Sequence, residues 1–540
     1  MISVSTPSEL LAGRAEAQLP ALLSSHVASR IFAKDSTLWG EAAQAEASIR
    51  LNWLDAPARG AAIVAKAKQL AESLRSEGIT RVVLSGMGGS SLAPEVIAAA
   101  EGLELVTLDS TDPEQIRAAL VDLESTVLVN SSKSGSTVET DSHRRIFEQE
   151  FERLGINPKH RIVFVTDPGS PLAKDTAAKG FSAIFEADPD IGGRFSALSA
   201  FGIVPTVLNG GSMSALLDDA AAALPLLAAD SSDNPALVLA AALAQKNPQQ
   251  NKLIIAENPA TAIGLGDWIE QLIAESTGKE ETGILPVIVE ADAPELSSQE
   301  SDQIILWLGS VASAAEHGIS PDIIVEATLG EHFMLWEYAT SVMGVLLGIN
   351  PFDQPDVESA KNATRALLDS GIAPVTVTEL LPGLALRAAE NLDVSALENL
   401  ESAELIPALL KTLLAAVGEV QYLSIQAYLD RPALPEYTEL RALAAKKTGR
   451  PTTFGWGPRF LHSTGQFHKG GQQQGVFLQL LSQNETDLAI PGRDFTFAEL
   501  LGAQADGDRN VLAAKGRPVL SLIVTDPVAA LAQLRTLLKG

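Results

Sequence analysis

The stretch "SSKSGSTVET" (131–140) stands between "ESTVLV" (124–129) and "DSHRRIFEQEFERL" (141–154). The run before it is short and rich in β-branched residues. The run after it has the periodicity of an amphipathic helix. Ser132, Ser134, Ser136 and Thr137 therefore crowd the point where a strand becomes a helix. Amides at a helix start lack intrahelical partners and carry partial positive charge, and hydroxyls add neutral donors. Capping alone needs one or two such residues. The stretch reads as a cradle for a phosphate, with a capped polar turn as the plainer alternative.

Outward from this junction the same rhythm repeats. "TRVVLSG" (80–86), "LELVTLDS" (103–110), "HRIVFVTDPG" (160–169) and "SAIFEAD" (182–188) read as strands, and "SLAPEVIAAA" (91–100) as a helix. Strand–helix alternation predicts a parallel sheet with helices on both faces. A glycine turn, a helix and a polar break over 209–235 mark a junction. The pattern then restarts with "NKLIIAENP" (251–259), "GILPVIVEAD" (283–292) and "DQIILWLGS" (302–310), followed by a helix with little polar surface, "EHFMLWEYATSVMGVLLGI" (331–349). A third region holds strand-like "VQYLSIQAYLD" (420–430) and "RPVLSLIVTD" (517–526) around the glycine-rich "GWGPRFLHSTGQFHKGGQQQG" (455–475). The expected division is a helical segment over 1–50, α/β units over 51–215 and 235–365, and an α/β extension over 366–540.

Composition narrows the function classes. At 540 residues the chain exceeds one compact core. A net charge of −28 disfavours nucleic acid and anionic lipid as partners, so a phosphorylated ligand must be held by local features such as helix-start amides. The chain has no cysteine, hence no disulfide or thiolate metal site. No apolar run is long enough to cross a membrane, and the first twenty residues lack a secretory pattern. A cytoplasmic protein is expected, without cofactor or metal.

Further turns and helices carry polar chemistry. "SGMGGSSLAP" (85–94) is a second glycine-rich strand-to-helix turn that lets backbone approach a ligand. "DIGGRFSALSAFG" (190–202) places Arg194 at another turn, where it suits a carboxylate, a phosphate, a developing oxyanion or a structural ion pair. In "DWIEQLIAESTGK" (267–279), Trp268, Gln271, Leu272 and Glu275 share one helical stripe. A partly buried Glu275 fits either a general base or a partner for a buried arginine. "NPFDQPDVESAK" (350–361) starts a helix that puts Lys361 two turns after Gln354. His462 and His468 lie six residues apart, which is poor metal spacing and better suited to an acid–base histidine.

Taken together, "GMGGSSLAP", "SSKSGSTVET", "DIGGRFSALSAFG", "QLIAESTGK" and "INPFDQPDVESAK" occur in the order found in the glucose-6-phosphate isomerase family, which this chain resembles over about residues 80–365. The nearest likeness is to the isomerase portion fused to transaldolase in some bacteria. The resemblance implies two sugar-isomerase αβα sandwich domains and the interconversion of glucose 6-phosphate and fructose 6-phosphate through a cis-enediol, within glycolysis and gluconeogenesis. It also implies that Ser132, Lys133 (through its backbone), Ser134 and Thr137 hold the phosphate, while Gly89 and Ser90 line the sugar site. Gln271 and Gln354 position the substrate, Arg194 faces the enediolate, Glu275 moves the proton, and Lys361 assists at the ring oxygen.

Two departures stand out. The family's ring-opening histidine loop precedes the helix that begins near Gln354, and nothing between Glu275 and Gln354 matches it. "GPRFLH" (457–462) has the same glycine-to-histidine spacing, which nominates His462, with His468 second. Asp356 stands where the family has glycine. A homodimer sharing this histidine, an isomerase that also accepts mannose 6-phosphate, and a non-catalytic sugar-phosphate sensor remain alternatives.

Overall fold

The computed structural model describes residues 2–246, 249–298, 300–370, 377–395, 400–483 and 486–540. Its first strand, β1 (Ser3–Ser5), lies in a stretch expected to be helical and joins a sheet built far downstream. Strands β2 (Arg81–Gly86), β3 (Val106–Leu108), β4 (Thr126–Ser131), β5 (Ile162–Thr166) and β6 (Ile184–Glu186) form one sheet in the order β3-β2-β4-β5-β6. Every pairing in it is parallel. All six residues of β4 are buried, as expected of a central strand covered on both faces.

The second sheet repeats the device. β7 (Lys252–Glu257), β8 (Leu285–Val289), β9 (Gln303–Leu308) and β10 (Ile323–Glu326) pair in parallel, and β1 closes the edge antiparallel to β10, giving β1-β10-β9-β7-β8. The third sheet contains β11 (Glu379–Leu381), β12 (Leu384–Glu390), β13 (Tyr422–Tyr428), β14 (Thr452–Trp456), β15 (Gly475–Ser482) and β16 (Val519–Val524), in the order β11-β12-β16-β15-β13-β14. Its four later strands are parallel, and β11 and β12 add an antiparallel edge. The chain is therefore an α/β protein with largely parallel sheets.

Six helices position the site. α1 (Val138–Arg153) leaves β4 through the 131–137 turn. α2 (Leu265–Thr277) carries the Trp268–Gln271–Leu272–Glu275 stripe. α3 (Leu329–Leu347) is capped by reciprocal Thr328–Glu331 bonds and is buried almost throughout, as its sequence predicts. α4 (Pro355–Ser370) starts on proline, whose missing N–H costs nothing at a helix start. α5 (Gly465–Gly470) and α6 (Phe497–Ala514) belong to the third unit.

One apolar core runs through the first and second units. The third unit has its own core beneath its sheet. It is also fastened to both neighbours: Tyr422, Phe467 and Phe477 pack with Ile254, Ala274 and Leu285, while Phe497 and Leu500 pack with Phe147 and Phe164. Burying a side chain such as Phe467 contributes about 1.5–3 kcal/mol. These contacts press the turn Arg459–His462 into the gap between the first two sheets.

Candidate active site

The gap is a cleft of about 410 Å³ at the carboxyl ends of β2 and β4. Ligand crevices in open α/β sheets lie at such strand ends. Every residue given a first-choice role from the sequence lines it: Gly89, Ser90, Ser132, Lys133, Ser134, Thr137, Arg194, Gln271, Glu275, Gln354, Lys361 and His462. Sequence reading does not nominate Arg50, Ser131, Asp167 or Glu358, which also line it.

The 131–137 turn is built from its own hydroxyls. Ser132 Oγ donates to Thr137 Oγ1 at 3.1 Å, and Ser134 and Ser136 hydroxyls meet at 3.0 Å. Thr137 occupies the N-cap of α1 but makes no side-chain bond to the first-turn amides. The plain capping reading expects that bond. Lys133 Nζ instead turns to Asp167 Oδ2 at 2.6 Å and to the Pro189 carbonyl at 3.0 Å, which leaves its backbone as its offering to the cleft. Ser131 Oγ is buried there with no partner. The glycine turn is tight for a steric reason: a Cβ on Gly89 would stand 1.9 Å from the Gly193 carbonyl, so only glycine lets this turn meet the one carrying Arg194.

Arg194 sits in the turn Gly193–Phe195 and its side chain is 2% exposed. Its Nε donates to Ser276 Oγ at 2.7 Å and its Nη2 to the Pro351 and Asp353 carbonyls at 2.6 and 3.0 Å. Nη1 donates to Gln354 Oε1 at 2.9 Å and lies 3.4 Å from Glu275 Oε1. The two readings of Arg194 and Glu275, structural pair or chemical groups, thus meet in one contact that opens on the cleft. Gln271 Nε2 donates to Glu275 Oε2 at 3.1 Å and to the His462 carbonyl at 2.8 Å. Its own Oε1 is buried without a partner. Lys361 stands at the rim, 2.8 Å from Glu358 Oε1.

The structure separates the two histidines. His462 faces the cleft, with Nε2 3.0 Å from Glu139 Oε1. Glu139 also accepts from Gln504 Nε2 at 2.6 Å. Burial pushes the Glu139 carboxyl up, but the neighbouring His462, a backbone hydrogen bond and His143 together hold the group below its ordinary value. His468 lies outside the cleft, with Nδ1 2.8 Å from the Tyr422 hydroxyl and its ring stacked on that tyrosine. Burial, then Lys469 and Arg517, drive it well below the usual histidine range. It stays neutral where an acid–base histidine must titrate.

The turn that bears His462 is locked from behind. Arg459 Nη1 reaches Asp109 Oδ2 at 2.6 Å and Glu95 Oε2 at 2.5 Å, and Arg431 Nη1 donates to Glu95 Oε1 at 2.8 Å. Asp356, placed where the resemblance expects glycine, is bonded by Gln466 and Lys515 from the third unit. Among the described residues, no group of three or more His, Asp or Glu is arranged to hold a metal ion, and no helix is long and apolar enough to cross a membrane.

Comparison with known proteins agrees with this geometry. Residues 40–287 match the profile of the phosphoglucose isomerase family. The glucose-6-phosphate isomerase of Thermosynechococcus vestitus is 29% identical over 377 residues, covering 56% of this chain and 70% of that protein. A probable glucose-6-phosphate isomerase of Methanococcus maripaludis is 28% identical over 360 residues, covering 54% of this chain and 80% of its own. A hypothetical protein of Thermus thermophilus shares the fold with a TM-score of 0.55 at 24% identity, covering 68% of this chain and 99% of that one. The glucose-6-phosphate isomerase of Chlamydia trachomatis does so with a TM-score of 0.52 at 19% identity, covering 69% and 89%.

By fold, cleft and relatives the chain resembles the phosphosugar isomerases, and within that class its similarity is to glucose-6-phosphate isomerase. The family profile ends before the third unit, so the segment carrying His462 lies outside it.

Proposed function

We propose that this chain interconverts glucose 6-phosphate and fructose 6-phosphate through a cis-enediol, and that its first two sheets are the two sugar-isomerase units. One observation carries the reading: a hydroxyl cradle, a glutamate beside an arginine, and a histidine on a carboxylate all face one cleft. Ser132, Ser134 and Thr137, with the Lys133 backbone, hold the phosphate, and that remote binding orients the sugar. Gly89, Ser90, Gln271 and Gln354 line and position the chain of carbons. His462, oriented by Glu139, protonates the ring oxygen as the ring opens, and Lys361 assists from the rim. Glu275 then takes the proton from the carbon beside the carbonyl and returns it to the neighbouring carbon. Arg194 faces the oxygen on which charge develops. In ring opening the ring C–O bond breaks as its oxygen gains a proton and the anomeric hydroxyl loses one. The net reaction only redistributes hydrogen among substrate atoms by way of His462 and Glu275, so atoms and electrons balance with no co-reactant.

His462 and the other groups belong to one chain, which supports a site complete without a second copy. A coupled assay converting fructose 6-phosphate to glucose 6-phosphate tests the reading, with mannose 6-phosphate run alongside. Tight binding of fructose 6-phosphate with no turnover would sink it in favour of a sensor.

A further inference from the structure

Gln466 is fully buried on α5, four residues after His462. Its Oε1 accepts from the amides of Asp356 and Val357 at 2.9 and 3.3 Å, two donors at the start of α4 that the helix itself leaves unpaired. Its Nε2 donates to the Gly278 carbonyl at 2.9 Å, just past the end of α2, and to Asp356 Oδ2 at 2.9 Å. A primary amide offers two donors and two acceptor sites, and all are used here. A Cβ on Gly278 would lie 2.5 Å from Phe467 Cα, so the end of α2 and α5 meet at backbone distance beside this amide.

The three elements joined at this side chain are those that carry the chemistry. α2 bears Gln271 and Glu275, α4 follows Gln354 and bears Lys361, and α5 follows the turn that ends on His462. Asp356 extends the junction, because Lys515 Nζ bonds its Oδ1 at 2.7 Å and the Lys469 carbonyl at 2.9 Å. By contrast, no hydrogen bond of Gln466 goes to the 131–137 turn.

We infer that Gln466 is a positioning residue for the isomerase reaction: its amide fixes the spacing of the proton-transfer helix, the Lys361 helix and the His462 turn. This rests on the proposed isomerase activity. It separates Gln466 from the other site residues by kinetics. The phosphate cradle governs KM. His462 acts on closed-ring substrate. Gln466, holding Glu275 and His462 together, affects kcat on closed and open substrates alike and leaves KM alone.

The test uses the full chain, with glucose 6-phosphate and an analogue that cannot close its ring. Gln466→Met removes all four bonds at similar volume. Displacement of reacting groups by about 1 Å costs on the order of 10²-fold, so kcat falls by that order on both substrates with KM unchanged. Gln466→Glu sets a carboxylate against Asp356 and the Gly278 carbonyl and is similarly impaired. Adding Asp356→Asn restores a donor opposite the new carboxylate and recovers turnover. Melting temperature is followed throughout. A folded Gln466→Met with unchanged kcat, or a loss confined to the closed-ring sugar, overturns the inference. So does failure of both Gln466 variants to fold at room temperature, which assigns the amide to stability. A wild-type chain that turns over neither substrate sinks the isomerase reading, and the inference falls with it. An active wild type with unaffected variants sinks the inference alone.

Discussion

The two halves of the cleft are built on opposite plans. The half proposed to hold the phosphate is one contiguous turn, 132–137, whose hydroxyls bond to one another. The half proposed to transfer protons is assembled from Arg194, Glu275 and His462, which are 81 and 187 residues apart in sequence (275 − 194 and 462 − 275) and come from all three units. A contiguous turn tolerates the loss of one donor, since its neighbours keep the shape. An assembled centre loses its chemistry with any member, since no neighbour duplicates it.

That contrast breaks or sharpens under substitution. Glu275→Gln removes the carboxylate bonded to Gln271, and the loss of a general base typically costs about 10²–10⁴-fold. Turnover should drop that far with substrate affinity kept. Near-normal exchange of the C2 proton with solvent would place the base elsewhere. His462→Ala should cost about 10²-fold on closed-ring glucose 6-phosphate and spare an open-chain substrate. Equal loss on both would make His462 structural.

On the cradle side, a hydrogen bond to a charged group contributes about 1.5–3 kcal/mol. Ser134→Ala should therefore raise KM by about tenfold or more and leave kcat in place. A fall in melting temperature with constant KM would return this turn to simple helix capping.

The smallest kinetic effect belongs to His468, whose replacement by Phe should leave both rates intact. Its effect is on acid stability. His143 and His332 are held at about 4 by burial, and His468 is also pushed well below the usual histidine value by burial. The unfolded chain binds protons to these rings below about 6.5, while the folded protein does not. Each ring thus costs stability as pH falls from about 6.5 toward 4, at about 1.4 kcal/mol per pH unit once the unfolded form is protonated. Denaturation against pH should show His468→Phe with a shallower slope in that window, and an unchanged slope would place the proton uptake elsewhere.

The sequence discloses these plans unequally. The cradle, the glycine turns and the Glu275 stripe are local patterns, and the structure brings all of them to one cleft. Glu139 lies inside the very stretch that reveals the cradle, yet an acidic residue in a first helical turn looks like ordinary support for the helix dipole. Only the fold brings it to His462. Gln466 gives no signal either, since a glutamine next to Phe467 in a glycine-rich segment resembles loop filler until its four bonds are known. The choice between His462 and His468 rests, in sequence, on spacing to Gly457. In the structure one ring meets the cleft and the other is walled in by Tyr422 and Phe477.

β1 bears on how such a chain comes together in time. Residues 3–5 pair with 324–326, so the edge of the second sheet joins an early-made segment to one of the later-made strands. At synthesis rates of about 5–20 residues per second, β1 leaves the ribosome on the order of tens of seconds before its partner exists. During that interval the first sheet can form entirely from residues already made, while "SVS" has nothing to pair with. Closure of the second sheet is therefore a late event with a large loop to close, and once made, β10 presents an open edge able to pair with a wrong strand until β1 docks.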